Sequence, residues 1–327
     1  MMKNPCAGAR FGCSLCLSVS EDHSLDSMVQ DPRYAYMRGL RDLRNFLYAV
    51  RHDMSRRDVI GKEVDQHGFL HIAPENFHAG FVEDLLRYCL TIDAEEREAA
   101  EREDLSEPRF QLITAPILVL IDALWSYHGV ALRPFHALTI YRDVCVDGKR
   151  YPVPQVPEAP KVKIGRRRYI YMGELLADKW MFYGLRDPVL EWTTQVCSDN
   201  VLVEKKGMEY LNVTTSNAMT VNEEGLFFLL EYDLDNLIAM YHDDPAHGCT
   251  AGFLYYLNTG MISIGKGQHS RVDAVLRRSR LRQHLGLIWP YERLNLSDDA
   301  TLSASQYYTE TGEMPPDLPI GTPLSLF

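Results

Sequence analysis

Five positive charges crowd into the eight residues Lys161–Arg168 (Lys161, Lys163, Arg166, Arg167 and Arg168), and Tyr169 and Tyr171 follow at once. Cationic side chains neutralise phosphates, and a ring beside them offers a face on which an unpaired base stacks, so this spacing suits single-stranded nucleic acid. A second basic island lies on a helix that the apolar pattern predicts from Ser270 to about Leu287. Arg271, Arg278 and Arg282 share one face of it, at i, i+7 and i+11. Its five arginines come without a lysine, which favours bidentate contact with phosphate or carboxylate. Charge runs are more often solvated faces, or partners of acidic segments such as Asp93–Asp104, than ligand sites.

Metal chemistry has two weaker candidates. His242, Asp244 and His247 follow a predicted helix end, with Pro245 supplying a turn that could make imidazole and carboxylate converge. A metal-dependent hydrolase would use them. Cys6, Cys13, Cys16 and His23 offer three thiols and an imidazole, but only Cys13-x-x-Cys16 has a standard half-site spacing for zinc. Neither set is favoured as an occupied site, and no cofactor is expected. The run Gly260 to Gly265-Lys266-Gly267 matches a phosphate loop as far as the lysine, then lacks the hydroxyl that ligates magnesium. Cys89 and Cys145 have no adjacent histidine to make either a nucleophile.

The elements that must position these groups read as a mainly helical α+β protein. At 327 residues, 46% hydrophobic and 24% charged, the chain is large enough for two cores and ordinary for a soluble protein. The longest apolar run, Ile113 to Trp125, is shorter than a membrane span needs. Seven scattered cysteines suit a reducing compartment such as the cytoplasm. A net charge of −11 disfavours indiscriminate coating of nucleic acid and leaves room only for a focused basic groove.

Five segments are expected. Residues 1–30 form a poorly ordered start, 31–151 an acidic helical lobe, 152–160 a Pro-rich spacer, 161–290 an α+β lobe with the basic islands, and 291–327 a mobile acidic tail. Within them, helices are predicted from Tyr34 to Val50, Phe81 to Ile92, Pro116 to His128 and Thr250 to Leu257, with Asp93–Asp104 a solvated helix or linker. Asp147-Gly148 signals a hairpin between Val144 and Val153. Strands are expected on both sides of Lys205-Lys206-Gly207. Thr220 and Glu223 have capping-box spacing, which predicts one continuous central helix to Tyr241, apolar on more than one side. Helices at 173–183 and 188–197 before a two-stranded wing resemble a winged helix-turn-helix only in outline, because the second lacks basic residues.

The expected function is a non-enzymatic binding or assembly protein that holds single-stranded nucleic acid, RNA before DNA, in a cleft between the lobes. The alternatives are the hydrolase and a protein-interaction scaffold that self-associates or binds a protein partner.

Overall fold

Leu40, Leu43, Leu47 and Val50 recur at helical spacing, and in the computed structural model they line the buried side of α2, Arg38–Val50. The structure describes residues 15–64, 67, 69–131, 133–161, 168–171, 202–205, 208–211, 220–221, 223–242 and 250–264, with residues 272, 275, 276, 279, 302, 303 and 311 singly. Helix dominates these residues. Contacts divide the chain into two discontinuous units.

Unit 1 comprises Met1–Arg56, Phe81–Ile113 and Ile140–Lys163. It begins with α1, His23–Met28, capped by the Asp22 carboxylate, and a 3-10 turn over Pro32–Met37 that leads into α2. Phe46 of α2 stacks on Phe81 of α3 (Ala79–Arg102), ring centres 6.0 Å apart, and Leu86 and Leu90 extend that core. At Gly39 even a methyl group would lie 3.1 Å from Ile92, so a larger residue would push the two helices apart.

Two expectations are corrected in unit 1. Ahead of them in the chain, Arg44, buried in α2, donates to the carbonyls of Cys16, Val19 and Ser20 and so ties residues 16–20 to that helix. Asp93–Asp104 is not simply solvated: it continues α3, and Asp93 and Glu96 are buried in it. Asp93 accepts from the backbone N–H groups of Leu112 and Ile113 at 2.7 and 2.8 Å, while Glu96 accepts from the N–H and guanidinium of Arg109. The two carboxylates thus hold the returning chain where a sequence pattern sees only charge. The hairpin at Asp147-Gly148 is also absent. α5, His136–Tyr141, runs into a π-helical turn over Arg142–Val146, and Gly148 at φ +71° ends it as a left-handed helix stop. Asp-Gly serves both purposes because both need positive φ.

Residues 152–160 form no helix or strand, with Val153, Val156 and Ala159 half-buried and the others exposed. The Ala159 N–H donates to the Ala49 carbonyl at 2.8 Å, and Arg51 pairs with Glu158 at 2.7 Å, so this stretch lies along unit 1.

Unit 2 comprises Arg57–Gly80, Thr114–Thr139 and Ile164–Phe327. Its antiparallel sheet has the order β1 (Arg57–Val64), β2 (Phe69–Phe77), β3 (Arg168–Tyr171) and β8 (Leu302–Ser303). Gly61 and Pro74 concealed the β1–β2 pair, since each weakens a strand signal, and irregular register around Ile60 accommodates them. In β8 Leu302 pairs with Tyr169 and Ser303 with Arg168. A second pair, β4 (Leu202–Lys205) with β5 (Met208–Leu211), stands where it was expected. β6 (Thr220–Val221) pairs with β7 (Ile262–Ser263), so Thr220 is a strand residue and not a helix cap.

The helices of unit 2 pack around α4, Ala115–His128, which ends at Gly129 with φ +62° as expected. Added bulk there would also meet Ser279 at 3.0 Å. Ser126 of α4 accepts from the Phe253 N–H of α8, Ala251–Asn258, at 2.8 Å. Val272, Val275, Leu276 and Ser279, spaced i, i+3, i+4 and i+7 within the stretch where a helix is expected, are helical and buried.

The expected central helix is real but interrupted. α6 (Glu223–Phe228), a π-helical turn (Leu229–Asp233) and α7 (Leu234–His242) form one continuous run. Its buried residues are Leu226, Leu229, Leu234 and Leu237. The step of five between Leu229 and Leu234 would leave the buried face of an α-helix, and the π turn absorbs the extra residue. Replacing Leu234 by Ala should lower unfolding free energy by about 2–3 kcal/mol, the low end for such a change because exposed neighbours let the site relax. Urea denaturation measures it; an unchanged midpoint would place Leu234 outside the core.

Candidate interaction site

The same π turn decides what faces outward. Phe227, Phe228 and Tyr232 are 57, 63 and 67% exposed, although an uninterrupted helix would have buried Phe227 with Leu230 and Leu234. Their rings touch one another, with centres 5.8 to 6.1 Å apart. Single exposed rings need no explanation, but three in mutual contact form an apolar patch of the kind that marks an interaction surface. Glu231, Asp233 and Asp235 are exposed beside them. Asp233 and Leu237 also help line a groove of about 620 Å³ that reaches Tyr255 of α8.

The surrounding sequence has the same sign. Between Gly207 and Gly265 there are eight acidic residues and no lysine or arginine. That stretch lies between the two basic islands and was the available signal for this site. Summed over both islands it disappears, leaving only a near-neutral second half.

Of the nucleic-acid candidates, Lys161 is exposed at the end of the Pro-rich stretch. Arg168 lies in β3 opposite Ile72, and Tyr171 opposite Phe69. Tyr169 pairs with His71 and is only 3% exposed, so its ring is packed inside unit 2 and not presented to a base. Lys163, Arg166, Arg167, Arg271, Arg278 and Arg282 lie outside the described residues.

Of the metal candidates, His242 closes α7, while Asp244 and His247 lie outside the described residues. So do Cys6 and Cys13. Cys16 contributes its carbonyl to Arg44, and exposed His23 stands 3.5 Å from Glu21. Among the described residues no three potential ligands cluster.

Thiol chemistry is suppressed at Cys89 and Cys145. Burial, reinforced by Asp93, pushes Cys89 up to about 12, and burial also raises Cys145. Each is therefore a protonated thiol at neutral pH, the wrong state for a nucleophile.

A groove of about 330 Å³ in unit 1 is lined by Tyr36, Arg38, Asp42, Glu95 and Tyr151 among others. Several of its polar groups already hold the fold together. Asp42 pairs with Arg41, Glu96 with Arg109, and Thr91 accepts from the Tyr151 N–H.

Among the described carboxylates Asp122 is the most perturbed. It is buried in α4, accepts from the Ala137 N–H and the Tyr256 hydroxyl at 2.8 Å each, and burial raises its pKa to about 6 against those donors. It joins α4, α5 and α8 and has no open cavity beside it among the described grooves. That is a structural lock.

No protein-family model, curated protein or solved structure matches this chain. The described helices include none long and apolar enough to cross a membrane.

Proposed function

We propose that this is a non-enzymatic binding and assembly protein whose docking face is the aromatic, acidic side of the helix Glu223–His242. The observation that carries the reading is the exposed Phe227–Phe228–Tyr232 cluster bordered by carboxylates. Aromatic anchors supply most of the affinity at protein interfaces, and a rim of one sign selects a partner of the other. The partner is therefore a protein segment in which Lys or Arg alternates with apolar residues. Each cation can lie over a ring while pairing with a neighbouring carboxylate.

The same carboxylates repel phosphate, which argues against RNA on this face. Single-stranded RNA on the Lys161–Arg168 island, and the two lobes with a cleft between them, rest on sequence alone. The burial of Tyr169 removes one of its two stacking rings.

The test is a fluorescence-anisotropy titration of two labelled probes, an Arg/Val peptide and oligouridine, against the whole chain. The peptide should bind, weaken as salt rises, and lose ~100-fold or more in affinity when Phe227, Phe228 and Tyr232 are all changed to Ala. Salt-steep binding of oligouridine with no binding of the peptide would make RNA the ligand instead.

A further inference from the structure

We infer that the partner is a second copy of this chain, whose own Lys161–Arg168 segment docks on the aromatic, acidic face. The inference rests on the docking reading above and names its occupant.

The chain supplies both halves of such a contact. Lys161–Arg168 reads Lys-Val-Lys-Ile-Gly-Arg-Arg-Arg, with five cations, no acid, and Val162 and Ile164 between them. The acidic stretch 207–265 carries no cation of its own. Complementary potentials of this strength steer association and fix the register of docking. Geometry adds a second fit. Residues 152–161 form no helix or strand and end on exposed Lys161, so the basic segment begins at the surface of unit 1. The groove lined by Asp233, Asn236, Leu237, Ala239 and Tyr255 offers a half-apolar slot for Val162 or Ile164, with a carboxylate at its edge for the neighbouring lysine.

The two surfaces are different, so the contact is heterologous: each copy presents one docking face and one basic segment. Such head-to-tail contacts either close into a ring or continue as a filament, and concentration sets their length when they remain open. That behaviour is what an assembly protein requires. High salt should dissolve the assemblies, since the contact pairs cations with the exposed carboxylates Glu231, Asp233 and Asp235.

Sedimentation velocity on two variants tests it. One carries Phe228→Ala and Tyr232→Ala, and the other carries Lys163→Glu, Arg166→Glu and Arg167→Glu; thermal melts that match wild type establish that both fold. Wild type should sediment as concentration-dependent oligomers, and each variant alone as a monomer. An equimolar mixture should form a dimer and nothing larger, because only one complementary pair of surfaces survives.

Wild-type protein that stays monomeric yet binds the Arg/Val peptide would overturn self-association while leaving the docking face intact. Failure of both would remove the docking face as well. Oligomers that persist in either variant, or a mixture that stays monomeric, would assign assembly to another surface.

Discussion

Replacing Arg44 by Met should cost roughly 3–5 kcal/mol and free residues 15–28 from unit 1. Arg44 is 1% exposed, and its guanidinium donates to the carbonyls of Cys16, Val19 and Ser20 and to the Asn45 side chain. Met keeps the length and apolar stem but offers no donor. The carbonyls must then either stay buried without partners, at about 1–3 kcal/mol each, or pull the segment into water. Arg44 also lies over the Tyr48 ring at 5.2 Å, a contact that Met retains only as packing. Lysine at this position keeps the charge without the fork and should recover only part of the loss. Urea unfolding gives the energy, and limited proteolysis should show new cleavage within 15–28. Unchanged stability with a protected segment would mean that the buried fork does not hold it.

The second large effect is expected at Asp122. Changing it to Ala leaves the Tyr256 hydroxyl and the Ala137 N–H buried without their acceptor, at roughly 3–5 kcal/mol. Its pH dependence has the opposite sign to that of an ordinary paired carboxylate. Burial raises the folded pKa to about 6 from an unfolded value of 3.8, so the folded chain holds the extra proton between those values. Its contribution is complete below about pH 4 and is lost as pH rises through 6, by up to ~3 kcal/mol. Asp53 works the other way. Hydrogen bonds from Ser55 and Arg56 outweigh its desolvation and lower its pKa, so its contribution is present at neutral pH and lost in acid. Subtracting the pH profile of Asp122→Asn from that of wild type isolates the Asp122 component. A flat difference between pH 4 and 7 would show that this carboxyl does not titrate on folding.

Much of the architecture was legible where the signal is local. Pro116 and Gly129 bracket α4 because each residue's backbone preference fits one helix end. The buried stripe of α2, the turn between β4 and β5, and the helix through Val275 follow equally from spacing and turn chemistry. What escaped depends on partners distant in sequence. Asp93 and Glu96 look solvated until Leu112, Ile113 and Arg109 return to cover them. Tyr169 looks like a stacking ring until β2 and β8 enclose its strand. Asp147-Gly148 requires a positive φ, and sequence does not say whether that ends a helix or turns a hairpin.

The exposed aromatic cluster was hidden by a single residue. Counting threes and fours through Phe227, Leu230 and Leu234 assumes an unbroken α-helix, whereas the buried residues step from Leu229 to Leu234. That offset turns the aromatic residues from core into surface. The acidic stretch around them is readable in the sequence, between two basic islands of opposite sign.

Photocrosslinking from position 228 tests the docking face most directly. Benzoylphenylalanine replaces Phe228 in one copy, a ¹⁵N-labelled wild-type copy is added, and the crosslinked peptides are identified by mass. Crosslinks should join position 228 to the labelled segment Lys161–Arg168, and 0.5 M salt should abolish them. Crosslinks confined to one copy and insensitive to salt would show that the chain covers these rings itself, and the docking face would not exist.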